Sequence, residues 1–294
     1  MAAGTARWTA SSTACLRSGS TARLLIALLR AARVAWHLAH GLLLVSFRFS
    51  GCSIAAQSDS IQRWSARLLD ILAIRLDLSG SLPHSSTVPA MLVANHVSWL
   101  DIYALNAVCP AQFVAKSEIA RWPLLGRFAR KAGTVFIERT RKRDILRVNR
   151  ELAAHMRAGT RITVFAEGTT TAGDGVLPFR PALLQAAIAC EAQVYAVAIR
   201  YERLDGSLCR EAAFTGDTSL GAALWLVLKQ PAMRVHLQLL PAVPSRSAQR
   251  KRLARETRQR VASALHWRAA VMASAAHAEP ACPHDFPIRS QPPF

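Results

Sequence analysis

Val93-Ala94-Asn95-His96-Val97-Ser98-Trp99-Leu100-Asp101 sets the reading of this chain, because an apolar strand ends and a helix begins within nine residues. Parallel α/β sheets gather their reactive groups at such strand ends. Two readings fit the spacing. Ser98 and Asp101 match the capping box S-x-x-D, in which Asp101 simply satisfies first-turn amides and His96 is a hydrogen-bonded loop residue. Alternatively, Asp101 reaches back to one imidazole nitrogen of His96, fixes its tautomer and leaves the other nitrogen to take a proton. Spacing alone leaves both open.

Outward from this segment the chain alternates. Ile61, Trp64, Leu68, Leu69 and Leu72 mark an amphipathic helix, and β-type runs follow at Arg75–Leu78, Ala90–Ala94, Gln112–Ala115, Thr134–Glu138, Arg161–Phe165, Val194–Arg200 and Met233–Leu240. Between them lie helical stretches such as Asp144–Arg157, with Ile145, Val148, Leu152 and Met156 on one face and Gly159 as its stop. The expected fold is therefore α/β, a mixed, largely parallel sheet flanked by helices, over residues 59–244.

The flanks differ in kind. Residues 1–20 are small and Ser/Thr/Ala-rich, like a transit peptide in composition, and are expected to be disordered. Residues 21–58 read as a membrane-associating helical segment. Within it Arg23, Arg30, Arg33, His37 and His40 fall on one helical face, and Leu, Ile, Val, Ala and Trp36 supply the rest. Phe49-Ser50-Gly51-Cys52 resembles a lipoprotein box, but Arg48 breaks the apolar run that should precede it. Residues 245–275 read as a basic helix and 276–294 as a Pro-rich disordered tail.

With 294 residues, 51% apolar and 19% charged, the chain has ample core and is neither fibrous nor disordered. Lys+Arg 37 against Asp+Glu 18 gives +19, mostly permanent guanidinium, which calls for an anionic partner. Six scattered cysteines without a C-x-x-C pair read as reduced thiols facing a cytosol. No Gly precedes a Lys, and no H-E-x-x-H, G-x-G-x-x-G or G-x-S-x-G occurs, so nucleotide loops, a metal centre and a serine elbow are not expected. A purely basic surface binder, on nucleic acid for instance, accounts for the charge but not for ordered strand-end blocks.

Those blocks are N-H-x-x-x-x-D at Asn95, His96 and Asp101; G-x-x-F-I-x-R at Gly133, Phe136, Ile137 and Arg139; and E-G-T at Glu167, Gly168 and Thr169. In this order, with Phe113–Glu118 and Trp122-Pro123 between them, they resemble the glycerophosphate/lysophospholipid acyltransferase family over roughly Arg75 to Tyr201. The resemblance implies a membrane O-acyltransferase that uses acyl-CoA or acyl carrier protein and no cofactor. Its expected product is phosphatidic acid, made from 1-acylglycerol 3-phosphate, or else an acylated lyso-aminolipid. It implies His96 as general base, Asp101 as its orienter, and Asn95, Lys116, Arg139, Glu167, Gly168 and Thr169 as substrate contacts. The expected place is the cytoplasmic face of a membrane, the inner one if the source is bacterial, against an anionic lipid surface and without nucleic acid. Three positions depart from the family pattern: Ala166 where Pro is usual before E-G-T, Thr170 where many members have Arg, and Ala196 or a neighbour in the fourth strand block, which commonly carries Pro. The second puts phosphate recognition in question, since a hydroxyl brings no charge.

Overall fold

A computed structural model of the chain describes residues 11–47, 51–81, 88–122, 125–138, 141–216 and 218–277. The chain opens with two helices, α1 (Ser11–Phe47) and α2 (Ile54–Ile71), followed by β1 (Ile74–Ser79) and β2 (Ala90–Ala94). Helix α3 (Asp101–Val108) leads to β3 (Gln112–Lys116) and, past a 3-10 turn, to α4 (Leu125–Lys131) and β4 (Val135–Ile137). Then come α5 (Lys142–Arg157), β5 (Ile162–Phe165), α6 (Leu184–Ala189) and β6 (Gln193–Glu202). Helix α7 (Leu220–Leu228), β7 (Met233–Leu239), β8 (Val243–Pro244) and α8 (Arg250–His277) complete the order.

The strands form one sheet in the order β1-β7-β6-β2-β5-β3-β4, with β8 beside β6. Only β6–β7 and β6–β8 are antiparallel; the other neighbours run parallel. The central strand β2 is buried along its whole length, as a strand covered on both faces must be. Leu92 and Ala94 point into a core shared with α1, α2, α3 and α7, while Met91 and Val93 point into one shared with α5, α6 and α8. After β2 the chain leaves through α3 for β3. After β5, which lies between β2 and β3, it leaves through α6 for β6 on the opposite side. The two connections take opposite faces of the sheet, α3 on the side of α1 and α2 and α6 on the side of α5 and α8, and a crevice opens between them at the carboxyl ends of β2 and β5.

The seven expected strand runs all appear, and Gly159 follows α5 with φ +84, the left-handed turn that ends a helix. Several boundaries move. Helix α1 starts at Ser11, so half of the stretch expected to be disordered is helical, and residues 1–10 lie outside the described residues. Helix α2 starts at Ile54, capped by Ser53, whose hydroxyl accepts from Ala56 N at 3.3 Å; a boundary at 59 therefore falls inside a helix. Helix α8 starts at Arg250 because Ser245 is bonded back to Ala192 and Ala187, and Ser247 turns at φ +57. Residues 278–294, most of the expected tail, lie outside the described residues.

Helix α1 buries Ala27, Val34, Gly41 and Val45 together with His37, while Arg23, Arg33 and His40 of its polar stripe stay exposed. Arg30 donates to the carbonyls of Leu228 (3.3 Å), Gln230 and Pro231 (2.8 Å), covering the exposed end of α7. The His37 ring stacks on Trp64 at 4.5 Å and donates from Nε2 to Trp64 O (3.0 Å), while Trp64 Nε1 donates to His37 O (3.3 Å). The outer side keeps Leu25, Leu29, Leu43, Phe47 and Trp36 exposed, the last at 76%. Thr21–Phe47 is also long and apolar enough to cross a membrane by length and composition.

Candidate active site

Strand β2 delivers Asn95 and His96 into the crevice, and the two do different work. The Asn95 amide donates to Ile199 O (2.9 Å) and accepts from Ile199 N (2.8 Å), fully buried. It clamps the end of β2 to β6. This corrects the expectation of a substrate contact, because both ends of the amide are spent on backbone.

His96 is held from four directions. Its backbone N–H donates to Glu167 Oε1 (2.7 Å), its carbonyl accepts from Thr171 N (2.8 Å), and its ring lies flat on Phe165 with centroids 3.9 Å apart. The fourth contact is Nδ1, 2.8 Å from Asp101 Oδ2. Because Asp101 opens α3, its carboxylate also accepts from Val97 N (2.8 Å) and Ser98 N (3.0 Å). Capping and steering are thus one carboxylate's simultaneous tasks. Tyr201 O–H donates to its other oxygen at 2.9 Å. Burial, and then the adjacent Asp101 charge, push the Tyr201 hydroxyl well above its ordinary range, so it stays a donor. With Asp101 fully buried and Nδ1–H donating to it, Nε2 is the nitrogen left to accept a proton. The His96 side chain is 20% exposed.

The turn after β5 supplies the rest. Glu167 is buried and accepts from His96 N and from Leu177 N (2.8 Å). Burial raises its pKa, and those two N–H donors oppose the rise. Its carboxylate ties two loops together rather than lining an open headgroup site, which departs from the expectation. Gly168 makes the turn with φ +78, a conformation that favours glycine. Thr169 is exposed, whereas the Thr170 hydroxyl turns inward and donates to Phe214 O. Phe214 N in turn donates to Val97 O (2.9 Å), and Phe214 lines the same cavity as His96. Lys116 is exposed at the end of β3, and Arg139 lies outside the described residues.

From His96 an apolar cavity of about 260 Å³ runs beneath Trp99 and Tyr103 to Trp64, Phe128 and Gly41. A polar base opening onto a greasy channel suits a reactant with a polar end and a long chain. Sequence reasoning missed Tyr201, Phe165 and Phe214. Of these only Tyr201 left a signal, since β6 alternates inward at Val197, Ile199 and Tyr201.

Residues 75–200 match the family model described as Acyltransferase, and the chain belongs to that family. It is 38% identical over 249 residues to the lyso-ornithine lipid O-acyltransferase of Pseudomonas aeruginosa, covering 83% of this chain and 95% of that one. It is also 38% identical to the 1-acyl-sn-glycerol-3-phosphate acyltransferase of Neisseria meningitidis, over 59% of this chain and 67% of that protein. In fold it is similar to the crystal structure of the 1-acyl-sn-glycerophosphate acyltransferase of Thermotoga maritima, with TM-score 0.63, 20% identity, and coverage of 84% and 96% of the two chains.

Proposed function

We propose that this acyltransferase moves a fatty acyl group from a thioester, acyl-CoA or acyl carrier protein, directly to the free hydroxyl of a lysolipid. The observation that carries this is the His96–Asp101 pair, 2.8 Å apart, at the mouth of an apolar cavity. Nε2 of His96 takes the hydroxyl proton as the oxygen attacks the thioester carbonyl, and the imidazolium, steadied by Asp101, returns that proton to the departing thiolate. General base assistance of this kind contributes about 10²–10⁴-fold. The step needs no cofactor beyond the thioester. Both the acceptor and the two-chain product exchange best at a bilayer surface. We place the enzyme there, on the cytoplasmic side where soluble thioesters are made, with the outward apolar side of α1 in the lipid.

Of the two acceptor classes expected, the lyso-aminolipid is favoured over 1-acylglycerol 3-phosphate, in the form of the lyso-ornithine lipid for which the P. aeruginosa relative is named. Thr170 brings no cation to the position that carries Arg in many relatives, and its hydroxyl is already committed to Phe214 O. Nearby, Asp174 follows Gly173, where a Cβ would stand 3.4 Å from the Val97 side chain, and pairs with Arg210 at 3.2 Å. One charge of each sign suits a zwitterionic head better than a phosphate dianion. Near-complete coverage of the P. aeruginosa relative supports the same choice. The test is competition between the two acceptors in one assay with the full-length protein. The expected outcome is a higher kcat/KM for lyso-ornithine lipid, with Thr170→Arg shifting preference toward the phosphate. Preference of the wild type for 1-acylglycerol 3-phosphate would select the other acceptor.

A further inference from the structure

Between α1 and α2 lies a cleft of about 760 Å³, separate from the catalytic crevice. Arg33 and His40 reach it from α1, and Arg63 and Arg67 from α2. Arg63 pairs with Asp59; among the described residues Arg33, His40 and Arg67 have no acidic partner. No carboxylate lines the cleft. His40 and Arg67 both bear on His37, which lines the same cleft. Gathering like charges around one cleft costs Coulomb energy unless a counter-charge arrives from outside.

The lip of the cleft says what carries that counter-charge. Trp36, 76% exposed, stands on it, and Leu29, Leu43 and Phe47 are exposed along the same helix. An indole beside arginines is the pattern of a bilayer interface, where ring and aliphatic stems meet lipid and guanidinium meets headgroup. A free phosphate or a nucleic acid would leave this apolar lip unused. We propose that the α1–α2 cleft binds the phosphate of an anionic bilayer lipid, whose chains lie along the exposed apolar side of α1. The lipid is a bound neighbour here and not a reactant. Trp64 forms the inner wall of this cleft and also borders the cavity onto which His96 opens, so an occupied cleft holds the roof of the acyl cavity in place. The proposal needs the protein to work at a membrane and is independent of the acceptor.

The experiment is partition of the full chain onto phosphatidylglycerol vesicles against phosphatidylcholine vesicles, a readout that requires no acyl transfer. Arg33→Gln/Arg67→Gln is expected to lower binding to the anionic vesicles roughly 25-fold, at roughly 5-fold per arginine. Its turnover of a short-chain, monomeric acceptor should be unchanged, which shows that the variant is folded. Arg33→Lys/Arg67→Lys should keep most of the preference. Arg250→Gln/Arg252→Gln, which removes the same charge from the exposed start of α8, should leave it intact. The proposal is overturned if the cleft variant still prefers phosphatidylglycerol, or if the α8 variant loses as much, because the attraction is then diffuse. It is also overturned if inorganic phosphate alone, at fixed ionic strength, raises the thermal midpoint as far as short-chain phosphatidylglycerol does.

Discussion

At the scale of single residues, the site turns on how fully one carboxylate is occupied. Asp101 receives Nδ1–H of His96, two backbone N–H groups and the Tyr201 hydroxyl, all within a region closed to water. A buried carboxylate so surrounded has one orientation, and the imidazole inherits it. Tyr201→Phe removes one donor from it, and a hydrogen bond to a charged group is worth about 1.5–3 kcal/mol. We expect kcat to fall roughly tenfold with the acceptor KM unchanged; steady-state kinetics that show an unaltered kcat would release Tyr201 from this positioning role. His96 and Asp101 were legible because they lie five apart on one strand-to-helix turn. Tyr201, a hundred residues on, left only its inward register on β6, because local spacing carries no trace of a partner that sheet pairing alone brings near. Asn95 was misread for a related reason. It shares a motif with the proposed base, but an amide at a strand end is as apt to satisfy backbone, and the backbone it satisfies belongs to β6.

Among the elements, α1 departs furthest from its expected behaviour. Its periodicity announced a helix with a polar stripe, yet nothing local showed that Arg30 and His37 alone of that stripe turn inward, because Leu228, Gln230 and Pro231 receive Arg30 from some two hundred residues away. The fit against α2 is close. A Cβ at Gly41 would stand 2.5 Å from Trp64 Nε1, and Trp64 is wedged among His37, Tyr103 and Phe128. Gly41→Ala must therefore push the helix or the indole aside, an overpacking cost of about 1–3 kcal/mol. The expected result is a lower thermal midpoint together with reduced turnover of long-chain acyl donors, read by calorimetry and by a chain-length series. A variant as stable as the wild type would mean that α1 is not seated as described. The parallel strands were readable from apolar runs and turn residues. The antiparallel pairing of β6 with β7 was not, since a run of buried residues does not encode direction.

In the whole molecule, strand order produces the site. Because β5 is threaded between β2 and β3, the end of β2 and the turn after β5 become neighbours, and His96 meets Phe165 and Glu167 across sequence separations of about seventy residues. The motifs indicated that these segments belong together, but not that Glu167 would spend its carboxylate on the backbone of His96. Charge is likewise distributed by the fold. The basic residues of α8 divide between exposed positions such as Arg252 and carbonyl contacts such as Arg258 to Val176 O (2.7 Å), so the helix packs on the sheet rather than standing free. Every level of this architecture converges on one imidazole nitrogen. The most direct measurement is turnover of His96→Ala in detergent, with both acyl-CoA and acyl carrier protein donors, beside its thermal midpoint. The account predicts a loss of about 10²–10⁴-fold or more with the midpoint unchanged. Turnover close to that of the wild type with either donor would contradict it.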